Sequence, residues 1–194
     1  VRKTRSLTPD YFEQLYKSDP DPWKFETSDY ERAKYAATIA ALGKERSHCA
    51  LEVGCANGVL TRALSAHCQA LLAIDVSPTA LQQASARCAD LPHVTFRLAG
   101  LPDDPVPGAF DLIVLSEVVY YWDDRDAERA AEIFRVQHLP GGRLLLVHWL
   151  GETDYPASGD EAVERLRRSL GEAVRVEQES RTPKYRLDLW RWAG

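Results

Sequence analysis

Short apolar runs recur along the chain at residues 49–53, 70–75, 94–98, 112–116 and 143–149. Each is the length of a buried strand, and several are rich in Leu, Val and Ile. Between them, residues 59–67, 79–88 and 127–136 carry apolar positions at helical spacing. Strand alternating with helix predicts a parallel sheet with helices on both faces. Ser77 is placed to cap the helix that Pro78 opens, because a first helical turn tolerates proline. The pattern changes toward the C-terminus, where residues 159–170 read as a helix, and residues 174–178 and 184–192 as two strands joined by a turn containing Pro183. At the other end, residues 9–16 and 30–42 read as amphipathic helices, joined by Asp19-Pro20-Asp21-Pro22-Trp23-Lys24-Phe25.

Composition adds bounds. At 194 residues the chain has the size of one domain with a substantial core. The apolar share of 45% and charged share of 27% are those of a soluble globular protein. A formal net charge of -5 gives no reason to expect nucleic acid or an anionic membrane as partner. No run approaches a membrane span, and the polar start Arg2-Lys3-Thr4-Arg5-Ser6 lacks the apolar stretch of a signal peptide, so a cytoplasmic location is expected. Cys49, Cys55, Cys68 and Cys88 lack metal-ligand spacing and are expected as buried free thiols, with no metal. Methionine is absent, an initiator included, as in a processed or trimmed chain.

The densest chemistry lies in Leu51-Glu52-Val53-Gly54-Cys55-Ala56-Asn57-Gly58 and, after the next helix, Ala73-Ile74-Asp75. A glycine-bearing turn after a first strand lets a ligand touch backbone, and an acid at the tip of the second strand suits a ribose. A dinucleotide fingerprint needs glycine at the positions of Gly54, Ala56 and Val59, and two of these fail. Glu52 would also repel a pyrophosphate, which prefers positive helix ends. That combination opposes a nicotinamide-dependent oxidoreductase. It suits a cationic ligand with a ribose and no phosphate, a description that S-adenosylmethionine (SAM) fits.

Glu52-x-Gly54-x-x-x-Gly58 with Asp75 resembles the first motifs of the class I SAM-dependent methyltransferases. Phe110-Asp111-Leu112-Ile113-Val114-Leu115-Ser116-Glu117-Val118-Val119-Tyr120-Tyr121 is similar to their fourth strand and active-site turn. Leu139-Pro140-Gly141-Gly142-Arg143-Leu144 is similar to the helix-to-strand turn that opens their fifth strand. The resemblance implies a Rossmann-like α/β fold with a mostly parallel seven-stranded sheet and an antiparallel C-terminal edge. It also implies SAM as cofactor and S-adenosylhomocysteine (SAH) as product. Asp21-Pro22-Trp23 and Ser28-x-Tyr30-Glu31-Arg32-x-Lys34-Tyr35 resemble the lid of the nodulation protein S family, which N-methylates the freed amine of a deacetylated chitooligosaccharide. On that likeness, residues 1–42 form a helical lid, residues 43–150 the cofactor core, and residues 151–194 the closing helix and strands of a single domain.

Residue roles follow. The expected cofactor set is Trp23, Lys34, Glu52, Gly54, Cys55, Ala56, Gly58, Asp75, Val76, Gly100, Leu101 and Ser116. Within it, Asp75 would hold the ribose, Lys34 the carboxylate of SAM, and Trp23 would pack over the ligand. The family often has an acid near adenine where this chain has Gly100, so either Asp103 reaches over or the backbone of residues 99–101 makes the contact. Methyl transfer is an in-line displacement that needs a placed nucleophile and a proton acceptor. Glu117, Tyr120 and His148 are the catalytic candidates. Glu117 would orient an amine and take its proton, or bind the methionine ammonium, or cap the next helix. His148 would serve as base for a hydroxyl acceptor, or is a buried structural histidine, and Trp149 would stack on a sugar or pack in the core. The acidic loop Asp154-Tyr155-Pro156-Ala157-Ser158-Gly159-Asp160 would wall the acceptor site. The expected acceptor is a small molecule, with a saccharide amine first, a hydroxyl second, and a non-catalytic SAM-binding domain third. The protein is expected as a monomer or homodimer.

Overall fold

A computed structural model describes residues 2–193. Its helices are α1 (Pro9–Ser18), α2 (Asp29–Ala41), α3 (Val59–Ser65), α4 (Pro78–Arg87), α5 (Asp124–Gln137) and α6 (Gly159–Leu170). Its strands are β1 (Ser47–Val53), β2 (Cys68–Asp75), β3 (Val94–Leu98), β4 (Phe110–Ser116), β5 (His138–Trp149), β6 (Val174–Arg181) and β7 (Tyr185–Trp192). They form one seven-stranded sheet in the order β3-β2-β1-β4-β5-β7-β6. Pairing is parallel for β1 with β2, β2 with β3 and β4 with β5, and antiparallel for β5 with β7 and β7 with β6. This is the class I methyltransferase arrangement that the sequence resemblance implies.

Two compact units make up the chain: residues 8–100, and residues 101 onward together with the N-terminal segment ending at Leu7. In the first unit, β1 and β2 bury Leu51, Val53, Leu71, Ala73 and Ile74. Local chemistry starts its helices. Ser28 Oγ accepts from Glu31 N at 3.3 Å to open α2, and Ser77 Oγ accepts from Ala80 N at 3.1 Å to open α4 with Pro78 in its first turn. Gly58 has φ 80°, and a β-carbon there would lie 2.7 Å from Ala84 Cα. The missing side chain thus lets α3 and α4 approach, a packing role beyond the backbone access expected of it.

In the second unit, β4 and β5 bury Leu112–Leu115 and Leu144–Val147 almost completely, as strands covered on both faces must be. Asp123 Oδ1 accepts from Asp126 N at 3.0 Å to cap α5. Ser158 and Glu161 form a reciprocal capping box at the start of α6. Buried Arg186 on β7 meets Asp188 at 2.8 Å and Asp160 of α6 at 3.0 Å, tying helix to sheet. The fifth strand starts earlier than expected, at His138, because Phe110 pairs with His138 and the register then shifts before Leu112 meets Arg143. Residues 139–142, expected as a preceding turn, therefore lie within β5.

Candidate functional site

The turn after β1 is fixed from below. Gly54 N and Cys55 N both donate to Ile74 O, at 2.8 and 2.9 Å. Gly54 (φ 75°), Ala56 (φ 52°) and Gly58 (φ 80°) adopt the left-handed conformation, of which only Ala56 carries a side chain. Asp75 at the end of β2 braces this turn: one carboxylate oxygen accepts from Ala56 N at 2.9 Å and the other from Ser77 N at 2.9 Å. A carboxylate has about four lone-pair sites, so two backbone donors leave acceptor capacity for ribose hydroxyls. Burial pushes its pKa up, and the bonds from Ser77 and Ala56 oppose that rise.

Glu52 is 2% exposed and its Oε2 has no hydrogen-bond partner among the described residues. Burial, opposed by the Thr61 hydroxyl and aided by the Asp75 charge, raises its pKa to about 8. Asn57 is fully buried, and its Oδ1 likewise lacks a partner among the described residues. The turn therefore carries two buried acceptors whose donors it does not itself supply. Burial also pushes the Cys55 thiol up, so it stays a neutral, packed group. Gly100 follows β3, and a β-carbon there would run into Val76 Cγ1. Val76 fills the space an acid at position 100 would need. Asp103 instead pairs with Arg129 at 2.7 Å, largely in solvent.

The N-terminal helices of this unit pack on α3 and α4, and the linker between them reaches the turn. Glu13 of α1 accepts from Ser77 Oγ at 2.6 Å, Thr79 Oγ1 at 2.8 Å and Thr79 N at 3.2 Å, which holds its pKa down at about 2. It adds an acidic cap to that of Ser77 at the start of α4. In the linker, Asn57 Nδ2 donates to Asp21 Oδ1 at 3.3 Å and Glu26 Oε1 at 3.4 Å, while Arg87 pairs with Glu26 and donates from Nε to Asn57 O at 2.8 Å. Tyr16, Trp23, Phe25 and Tyr35 form a chain of ring contacts with centroids 5.6–6.3 Å apart. Burial raises the pKa of the Tyr16 hydroxyl, and the Asp75, Cys55 and Asp21 charges raise it further. Trp23 packs within this aromatic chain. Lys34 is 1% exposed, pairs with Glu31 at 2.9 Å, and lies 5.3 and 5.8 Å from the Tyr30 and Tyr35 ring centres.

The second unit gathers a different set. Ser116 ends β4, buried, and Glu117 follows it with φ 59°, an uncommon backbone state for a residue with a side chain. Glu117 Oε2 accepts from the Tyr120 hydroxyl at 2.5 Å and from Trp149 N at 2.9 Å. His148 is fully buried, and its Nε2 accepts from Val119 N at 3.1 Å, anchoring the 3-10 turn Val119–Tyr121. That contact assigns the proton to Nδ1 and engages the Nε2 lone pair a general base would use. The Trp149 ring packs on Gly151, where a β-carbon would collide with it. Tyr155 completes the group, its ring 5.2 Å from Tyr120 and 4.8 Å from Tyr121. Burial pushes the Tyr120 and Tyr121 hydroxyls up, as does the nearby Glu117 charge. Asp123 caps α5, so that alternative role for Glu117 is taken. Among the described residues no group of three or more His, Cys, Asp or Glu is gathered as a metal would require, and no helix is long and apolar enough to cross a membrane.

A profile of the nodulation protein S (NodS) family matches residues 8–146. The chain belongs to the nodulation protein S family. A Rhizobium tropici nodulation protein S is 35% identical over 127 residues, which is 64% of this chain and 53% of that protein. The chain thus spans about half the length of that curated relative. Among solved structures, the N-methyltransferase NodS of Bradyrhizobium japonicum WM9 in complex with SAH superimposes with a TM-score of 0.84 at 24% identity, covering 97% of this chain and all of that one. A Pseudomonas syringae structure, whose methyltransferase assignment is itself a proposal, is 36% identical with a TM-score of 0.74, covering 84% of this chain and 98% of that one.

The family match reaches from just before α1 into β5, and so takes in Trp23, Lys34, the β1 turn, Asp75, Gly100, Leu101, Ser116, Glu117 and Tyr120. His148 and Tyr155 lie beyond it. Three residues of this NodS-family chain enter the site without having been expected from sequence, Glu13, Tyr16 and Asn57, while Tyr155 lies in the loop of residues 154–160 that is expected to wall the acceptor site. Only Asn57 carries a sequence signal, as the polar residue inside a glycine-bearing turn.

Proposed function

We propose that this chain is a SAM-dependent N-methyltransferase acting on the amine of a small molecule, with an amino sugar or saccharide amine as acceptor and SAH as product. Residues 8–100 fit the cofactor. Asp75 keeps acceptor capacity for ribose hydroxyls. Glu52 Oε2 and Asn57 Oδ1 are buried without a partner among the described residues, and an ammonium-bearing cation would pair with both and favour the charged form of Glu52. When bound, SAM contributes an electrophilic methyl on a sulfonium. Gly54, Cys55, Ala56, Gly58, Val76, Gly100, Leu101 and Ser116 are the remaining contact candidates, with Trp23 and Lys34 closing from the lid.

The observation that carries the amine reading is the Glu117 carboxylate, held by the Tyr120 hydroxyl and the Trp149 amide on an uncommon backbone turn. An acceptor ammonium has no lone pair, so it must lose a proton before it attacks carbon. Glu117 would orient the ammonium and take that proton, leaving an amine lone pair free to accept the methyl with SAH as leaving group. The product would leave as the N-methylated ammonium, and Glu117 would return the proton it took to solvent. His148 is poorly suited to deprotonate a hydroxyl, because its Nε2 already accepts from Val119 N.

Two measurements test this reading. Calorimetry should show SAM and SAH binding and no NAD binding. Transfer of labelled methyl from SAM should occur to a chitotetraose carrying one free terminal amine, and not to its fully N-acetylated form. NAD binding without SAM binding overturns the cofactor assignment, and equal labelling of both sugars overturns the amine.

A further inference from the structure

The segment before α1 is not a loose end. Residues 2–7 run along the tyrosine group of the second unit and touch it from two sides. Leu7 N donates to Tyr121 O at 2.9 Å, and Lys3 N donates to Asp154 O at 2.8 Å, the residue before Tyr155. Lys3 Nζ also pairs with the Asp154 carboxylate at 3.0 Å, and Arg2 pairs with Glu161 in the capping box of α6. Between them, Ser6 Oγ donates to Asp126 Oδ2 at 2.5 Å and accepts from Asp123 N at 2.9 Å, fixing the start of α5. One short irregular stretch therefore bridges the 119–121 turn and the 150–158 loop.

That loop has irregular backbone, and its bond to the turn, from Ala157 N to Tyr120 O, is long at 3.3 Å. Segments with few backbone bonds open easily, so an added bridge changes where Tyr155 spends its time. Tyr155 matters because of its neighbours: its ring packs on Tyr120, whose hydroxyl holds Glu117, and on Tyr121. A tyrosine offers an apolar face to sugar C–H groups or an ammonium and a polar tip to a hydroxyl.

We propose that residues 2–7 are a strap that positions the acceptor wall, and that Tyr155, fixed by it, is a specificity-determining residue for the amine acceptor. The inference rests on the amine-acceptor reading above for its catalytic part, and on the geometry alone for the strap.

The test uses the full chain with Leu7→Pro and Lys3→Pro, each of which deletes one bridging N–H, and with Tyr155→Leu and Tyr155→Phe. Hydrogen exchange should show amides of residues 152–157 exchanging about tenfold faster in the proline variants, with amides of residues 54–58 unchanged. SAM affinity by calorimetry should stay within about twofold of the parent. With the free-amine chitotetraose as probe, acceptor KM should rise about tenfold in the proline variants and in Tyr155→Leu, with KM for SAM unchanged, while Tyr155→Phe stays within about threefold of the parent. Unchanged exchange at residues 152–157, or SAM affinity falling in step with acceptor KM, overturns the strap. A parental acceptor KM in Tyr155→Leu, or a loss in Tyr155→Phe equal to that in Tyr155→Leu, overturns the role of the Tyr155 ring. If the parent does not methylate the probe, the amine reading and the role given to Tyr155 both fail, and exchange still decides the strap.

Discussion

The two units of this molecule build their chemistry in opposite ways. In residues 8–100 the polar groups that would meet a cofactor follow one another along β1, its turn and the tip of β2, and backbone amides hold them: Ala56 and Ser77 on Asp75, Ile74 O beneath Gly54 and Cys55. In the second unit, Glu117, Tyr120, His148, Trp149 and Tyr155 come from three separate stretches and hold one another largely by side chains. A site made of one contiguous turn constrains its ligand through backbone, which side-chain substitution changes little. A site assembled from distant side chains can be retuned one residue at a time. This contrast fits a common cofactor with variable acceptors.

The comparison predicts that variants in the second unit stop turnover and spare the cofactor. Glu117→Gln should lower turnover by about 100- to 10,000-fold, the range for removing a general base, while SAM affinity measured by calorimetry stays near that of the parent. Loss of SAM binding in this variant would assign Glu117 to the cofactor and dissolve the division. The turnover of the parent should rise with pH as the acceptor ammonium deprotonates.

Variants in the first unit should do the reverse. Glu52 is protonated when folded up to about pH 8, against 4.5 as its ordinary value. Its contribution is therefore fully favourable below about pH 4.5, declines as pH rises, and levels off above about 8. Glu52→Gln should remove that decline, a gain of a few kcal/mol over the parent at pH 8.5 that vanishes at pH 4. Urea melts at the two pH values measure it, and equal slopes in parent and variant refute it. Asp75→Ala should cost about 1.5–3 kcal/mol of SAM affinity, the range for hydrogen bonds to a charged group, with the acceptor KM unchanged.

The smallest effect belongs to Glu13. Its pKa is held down at about 2, so its stabilisation is present above about pH 4.5 and is lost as pH falls through 2. Glu13→Gln should destabilise the fold by about 1 kcal/mol at pH 7, as loss of a helix cap does, and by a small fraction of that at pH 2. A difference that persists in full at pH 2 would show that packing, not charge, docks α1.

Where the chain announces its structure, periodicity and turn chemistry agree. Residues 94–98 and 159–170 are element for element what the apolar spacing predicts, and Ser77-Pro78 opens α4 as its residue types require. The β1 turn and Asp75 are legible because their chemistry is local in sequence. Glu13 is not, since nothing in a helix near the start of the chain reveals that it will meet Ser77, more than sixty residues on. The pattern around Lys34 suits a ligand for a carboxylate, but it cannot show that Glu31, one turn before, pairs with that lysine in a buried setting. Tyr155 sits in a loop without periodicity, which its position marks only as a wall of the acceptor site, and its ring contacts single it out. The early start of β5 is hidden by Pro140, Gly141 and Gly142, which normally break a strand.

The fit between Gly100 and Val76 makes these two positions a single unit of change. A β-carbon at position 100 would lie 2.4 Å from the Val76 Cγ1 methyl, so any side chain there requires Val76 to move or to be smaller. A substitution at residue 100 made alone therefore reports that clash together with whatever it offers the ligand, and the pair with Val76→Ala separates the two.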